Sequence, residues 1–234
     1  VLYSETGSIT PAATKLHGPV WPPQRRSEST VLIWSEHTSP PRIDVHLLTL
    51  DEPGHWREEC LASLAGAPIR LHRLPGIPGR VGQARAAGFA RGTLPLVSFV
   101  DPDDRYEAHA FAHLADALDA CPSAVLAYTD EALIDEHGDS LGVRRLAYSA
   151  FQHAHSASHV HGLIVMRRSA VEPVLTRIAD LDADADWLLT RLVARQGSVL
   201  HLPLVGRHWR QHPNQHHRRT RSTASGPLPS LATP

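Results

Sequence analysis

Residues 94–104, LPLVSFVDPDD, constrain the fold more than any other part of the 234-residue chain. Leu96-Val97-Ser98-Phe99-Val100 has the length and the β-branched and aromatic content of a strand buried on both faces. Such a strand runs through the middle of a helix-covered sheet. In α/β sheets of that kind, ligands sit beyond the carboxyl ends of the strands. Asp101, Asp103 and Asp104 follow the run directly. Three acids in four residues repel one another unless cations or hydrogen-bond donors offset the charge. Oxygen donors at this density suit Mg²⁺ or Mn²⁺, with substrate phosphates completing the shell. The structural alternative is a turn at Pro102 with Asp103 or Asp104 capping the next helix.

The segments on either side supply the sheet. Residues 43–50 (IDVHLLTL) read as a first core strand, and 51–54 as a turn. Trp56, Cys60, Leu61 and Leu64 recur at helical spacing, so a helix is expected over 55–64, ending near Gly66. Residues 69–74 alternate as a second strand. The resulting βαβ unit implies a parallel pair with a right-handed crossover. The Gly- and Pro-rich 75–82 lacks the Lys-Ser/Thr ending of a P-loop. The following helix, 81–91, carries Gly82, Ala84, Ala86, Ala87, Gly88 and Ala90, small enough to lie close to a sheet or a ligand; Gly92 fits its C′ position.

Beyond the acidic strand end, Phe111, Leu114, Ala115 and Leu118 make the apolar stripe of a helix over 107–120. Residues 124–129 read as a strand ending at Asp130-Glu131, and 134–139 as a turn. Residues 141–158 show little periodicity and read as a loop over the site. His153, His155, His159 and His161 match no structural zinc spacing, so 159–165 reads as a strand with imidazoles at its start. Ser169 to Glu172 has the form of a capping box, predicting a helix there. Asp180 to Asp186 precede a helix bearing Trp187, Leu188, Leu192 and Val193, with one acid as N-cap. Capping needs one acid only, which leaves Asp184 and Asp186 to point into a pocket. Residues 198–202 read as the last strand.

Net charge is −1, so the overall balance names no partner, but the distribution is uneven. Residues 101–139 hold eleven acids and one Arg, while 206–221 hold five Arg, four His and no acid. Cys60 and Cys121 form neither a ligand motif nor a disulfide framework, which points to free thiols in a reducing compartment. No apolar stretch approaches the ~20 residues that span a bilayer. No signal peptide is visible, so a cytoplasmic protein is the expectation. The domain plan is a Pro/Ser-rich leader (1–41), with Val31-Leu32-Ile33-Trp34 as a short extra strand, one α/β domain (42–215) and a basic, Pro-rich tail (216–234).

In order along the chain, four groups of residues resemble a family-2-type GT-A glycosyltransferase. They are Gly79 to Asp104 with its Ala84-Arg85 helix and Asp-x-Asp-Asp ending, the region 124–138, Asp186-Trp187-Leu188 with Arg191, and Trp209-Arg210-Gln211-His212. Two departures stand out. Ala86 follows the helix Arg where the family has Asn, and the second strand ends Leu74-Pro75-Gly76 where the family has Asp-Asp-Gly-Ser.

The resemblance implies a mixed, mainly parallel sheet with helices on both faces. It also implies metal-dependent, inverting transfer from a nucleotide-sugar, a UDP-sugar first, to an acceptor hydroxyl on a glycan or nucleic acid. Asp101, Asp103, Asp104 and His212 would hold Mn²⁺ or Mg²⁺. Asp51, Arg85, Asp101 and Arg210 would contact the donor. Asp186 would be the base, with Asp184 as second choice. Two alternatives stay open: a GT-A-like module that binds a sugar or nucleotide without turnover, and a nucleic-acid-associated protein gripping phosphates with the basic 206–221 stretch.

Overall fold

The alternation of β1 (Ile43–Thr49) shows how the layers are laid down. Ile43, Val45 and Leu47 enter one core, while Asp44 and His46 face the opposite side. The computed structural model describes residues 40–213 and 215, so the leader strand expected at 31–34 and the tail from His216 lie outside the described residues. The described strands form one sheet in the order β2 (Ile69–Pro75), β1, β3 (Leu96–Val100), β7 (Ile164–Arg167), β5 (Ala124–Ile134), β8 (Ser198–Arg210), β4 (Arg105–Tyr106); β6 (Ser140–Arg144) pairs with β5. The three longest ladders, β1–β2, β1–β3 and β5–β8, are parallel. β7 runs antiparallel to both β3 and β5, and the β4 and β6 pairings are antiparallel too.

Helices cover both faces. On one, α1 (Gly54–Ser63) and α3 (Ala108–Ala120) bring Cys60, Phe111, Leu114 and Leu118 against Ile43, Val45, Leu96 and Val165. On the other, α2 (Val81–Phe89), a run of short turns from α5 (Arg168–Val171) to α6 (Leu175–Ile178), and α7 (Ala185–Ala194) bury Phe89, Val171, Ile178, Leu189 and Val193 against Val97, Phe99, Leu126 and Met166. β3 is buried along its whole length and feeds both cores. Asp44, on the second face, takes hydrogen bonds from the Leu94 amide (2.7 Å), Arg168 Nη2 (2.8 Å) and His72 Nε2 (2.9 Å), tying β1 to the start of β3 and to α5.

Several boundaries differ from the sequence reading. β5 does not stop at Thr129 but continues to Ile134, because buried Asp130 and Glu131 find partners in His201 and His161. Residues 141–158 contain β6 and the short helix α4 (Ala150–His155), capped by Ser149, whose hydroxyl accepts from the Gln152 amide. β7 starts at Ile164, not at His159, and α5 starts at Arg168 without a side-chain cap. β8 runs eight residues past Leu202, so the basic segment through Arg210 is sheet.

Candidate active site

Topology brings four strand ends to one edge. The carboxyl ends of β3, β5 and β8 point the same way, and antiparallel β7 begins there. Asp101 leaves β3 at this edge, and its two carboxylate oxygens are shared between arginines. Arg85 Nη2 donates to Oδ1 (2.6 Å) and Arg207 Nη2 to Oδ2 (2.8 Å). Burial alone would raise the Asp101 pKa, but the two guanidinium groups hold it well below the usual carboxylate range. Its amide donates to the Tyr106 hydroxyl at 2.8 Å.

Arg85 comes from α2, whose small residues let it lie low on the sheet. Added carbon at Gly88 would meet the His46 ring, and at Gly82 the Ile178 carbonyl. The guanidinium rests on the Phe99 ring, 4.1 Å from its centroid, and turns its other edge to Asp186 at the start of α7. Nε meets Oδ1 at 2.9 Å and Nη2 meets Oδ2 at 3.1 Å, while buried Nη1 has no partner among the described residues. Asp184 precedes α7 exposed, without a capping bond. Asp182 and the Leu181 carbonyl occupy the α2 N-terminus, accepting from the Val81 amide (3.2 Å) and the Gly82 amide (2.9 Å).

Asp104 lies deeper, 1 % exposed. Arg207 Nε (2.7 Å) and the Arg210 amide (2.8 Å) donate to its two oxygens, so it braces β8 rather than facing an ion. Burial would lower the Arg207 pKa, yet Asp104 and its neighbours raise it well above the ordinary value. Arg210 is also buried. Its side chain donates to the Asp103 carbonyl (2.8 Å), to Glu59 Oε2 (2.6 Å) and to the Glu136 carbonyl (3.1 Å), and stacks on Trp56; it braces the 101–104 turn from behind rather than reaching a diphosphate. The basic segment is therefore not an exposed phosphate-gripping patch at Arg207 or Arg210. Asp51 is exposed beyond β1.

Asp103 differs from its neighbours. Among the described residues no guanidinium pairs with its carboxylate; Oδ2 faces His212 Nε2 at 3.0 Å, and the His212 ring lies against Trp56. Among the described residues no three His, Cys, Asp or Glu side chains gather as a metal cage. One carboxylate and one imidazole nevertheless match the sparse protein ligation typical of Mg²⁺ or Mn²⁺, where phosphate oxygens and water fill the remaining positions. The donor set fits a divalent ion through Asp103 and His212.

The sequence reading did not single out Arg207, Glu131, Tyr106 or Arg144 for the site, and left His161 as one of four unassigned imidazoles. Glu131, 2 % exposed on β5, accepts from His161 Nδ1 at 2.8 Å and pairs with Arg144 of β6. Its signal was an acid inside an apolar run, which reads as a strand end until its partners are known.

This arrangement is the GT-A glycosyltransferase fold. The solved structures similar to it include those of S. aureus TarS. TarS 1-349 in complex with UDP-GlcNAc superposes with a TM-score of 0.56 at 14 % identity, over 79 % of this chain and 62 % of that one. The complex with UDP gives 0.53 at 14 %, over 74 % and 61 %. A further TarS structure gives 0.57 at 15 %, over 74 % and 37 %. This chain thus spans less than two thirds of the TarS chains it matches. At such identity the likeness is one of fold. No protein-family model matches the sequence, and no curated protein matches it. No helix among the described residues is long and apolar enough to cross a membrane.

Proposed function

We propose that this protein transfers a sugar from a nucleoside-diphosphate donor, in the first instance a UDP-sugar, to an acceptor hydroxyl of a glycan or nucleic acid. The observation that supports this reading is the setting of residues 101–104: an acidic turn at the carboxyl edge of the central strand, in a fold shared with a protein solved with UDP and with UDP-GlcNAc. A divalent ion held by Asp103 and His212 would stabilise the negative charge that collects on the leaving diphosphate. Arg85, with Nη1 unpartnered, has a donor to offer the same phosphates. Asp101 fixes that guanidinium, and Arg207 fixes Asp101. With diphosphate and acceptor on opposite sides of the sugar carbon, a single displacement inverts its configuration. Both oxygens of Asp186 are held by Arg85, so it acts as proton acceptor only where the diphosphate draws Arg85 away.

A melting-temperature screen of UDP, GDP and ADP, each with and without Mn²⁺, tests the reading. A ligand near a hundred times its Kd stabilises by about 2.7 kcal/mol, several degrees for a chain of this size. UDP with Mn²⁺ is expected to give that shift, and Asp103→Ala to remove the Mn²⁺-dependent part. The absence of a shift with any nucleotide contradicts the reading; binding with no turnover of any UDP-sugar favours the non-catalytic module.

A further inference from the structure

His161 stands at the same edge, in the segment leading into β7, beside Arg207. Arg207 Nη1 donates to the His161 carbonyl at 3.3 Å. The ring makes one hydrogen bond among the described residues, Nδ1 to Glu131 Oε2 at 2.8 Å. A carboxylate accepts only, so Nδ1 carries the proton and Nε2 is left with its lone pair. The side chain is 26 % exposed, so the ring is partly open to solvent. The Trp209 ring packs edge-on against the imidazole at 4.5 Å between centroids and fixes its plane. Glu131 is itself immobilised, paired with Arg144, which lies over the other part of Trp209. A base, a buried carboxylate that sets its tautomer, and an aromatic wall that holds its plane form the orienting logic of a general base. Nothing in the donor-side machinery uses it.

We propose that His161 takes the proton from the attacking hydroxyl, and that Glu131 is its positioning residue. This rests on the sugar-transfer reading. In the step, the acceptor oxygen forms a bond to the anomeric carbon and its proton passes to His161 Nε2. The bond from that carbon to the β-phosphate oxygen breaks, and its electron pair leaves on the diphosphate. The imidazolium then gives the proton to water.

Among the described residues the charged groups around His161 are Glu131 on β5, Arg144 on β6, Arg207 on β8 and Asp101 at the end of β3. Burial lowers the imidazole pKa, Glu131 opposes that, and the two arginines add to it. The net shift favours the neutral ring. A small hollow of about 10 Å³, room for about one water, lies beside it, lined by Tyr128, Thr129, Glu131, Arg144, Ser158 and His161 among others.

The test has two arms. On the intact protein, ¹⁵N shifts of the imidazole are expected to show the Nδ1–H tautomer at pH 7. An Nε2–H tautomer or an imidazolium overturns the proposal whatever the enzyme does. In the second arm, UDP release from UDP-GlcNAc, with water as acceptor, is followed from pH 5 to 8.5 beside calorimetric UDP binding. His161→Gln is expected to lower kcat about 100-fold or more, the scale of a lost general base, with UDP affinity within twofold. Glu131→Gln is expected to lower kcat and move the acid limb to lower pH, because the imidazole loses the carboxylate that raises its pKa. Wild-type kcat in His161→Gln with loss in Asp186→Asn overturns the proposal and returns the role to Asp186. Wild-type protein that binds no UDP fails the sugar-transfer reading itself, and is recognised as such by the binding arm.

Discussion

Arg85 grips Asp186 with two parallel hydrogen bonds, Nε to Oδ1 at 2.9 Å and Nη2 to Oδ2 at 3.1 Å, across 101 residues of chain. The same guanidinium holds Asp101. One cation thus ties the end of β3 to the start of α7, and the site edge carries its own counter-charges. A bidentate guanidinium–carboxylate pair fixes direction as well as distance, so the two carboxylates are set before any ligand arrives.

Removing that cation leaves carboxylates facing each other in a partly buried setting. Arg85→Met is expected to destabilise the fold by about 3 kcal/mol, the scale of breaking one partner out of a buried pair. Urea denaturation at pH 7 measures it. Arg85→Met with Asp186→Leu is expected to recover part of the loss. A change below about 0.5 kcal/mol in the single variant would mean that the pair is not formed in solution.

Gly82 lets α2 meet the loop that leads to Asp186. An added Cβ would overlap the Ile178 carbonyl oxygen and lie 2.9 Å from the Leu181 oxygen, both backbone atoms with little freedom to retreat. Gly82→Ala is expected to cost about 1–3 kcal/mol as overpacking, read as a lower melting temperature. It also moves Arg85 relative to Asp186, so UDP affinity falls with it.

Acid lability has two kinds of source acting in the same direction, buried histidines such as His46 and His153 and paired carboxylates such as Asp101. Burial lowers the His153 pKa to about 4, while its nitrogen pairs with Thr190. A folded-state pKa below the ordinary 6.5 means that stability is full above pH 6.5 and is lost as pH falls toward 4, because the unfolded chain takes up the proton first. Asp101, held below the usual carboxylate range, contributes stability above its ordinary pKa of 3.8 that is lost on further acidification. Urea midpoints between pH 7.5 and 3 are expected to decline in two stages. His153→Gln is expected to reduce the upper stage in part, with His46 supplying the rest, and to leave the lower stage in place; a decline of unchanged shape in that variant contradicts the assignment.

The strands with a clear apolar run or alternation were legible. β3 coincides with its apolar run, and β1, β2 and α1 fall within a residue or so of their periodic patterns, because alternation and turn residues mark them locally. β5 was cut short because Asp130 and Glu131 look like a strand end until their partners are seen, and β8 because Pro203, Gly206 and then Arg207 follow Leu202. Asp130 meets His201, 71 residues away, and Arg207 meets Asp104, 103 residues away. Propensity has no access to such pairs. The same holds for the site. The acids at 101–104 announced an edge, but which of them stays available depends on arginines from α2 and β8. Asp104 is consumed by Arg207 and the Arg210 amide, and Asp103 alone faces an imidazole. The small residues of α2 were read as allowing close approach to sheet or ligand; Gly88 against His46 and Gly82 against Ile178 make that approach one of protein on protein.

A crystal structure grown with UDP and Mn²⁺, recorded with the manganese anomalous signal, tests the central claim most directly. The expected result is an anomalous peak between Asp103 and His212 at about 2.0–2.2 Å from their ligating atoms, with the diphosphate beside it and within reach of Arg85. UDP bound away from the carboxyl end of β3, or no peak between Asp103 and His212, would contradict it.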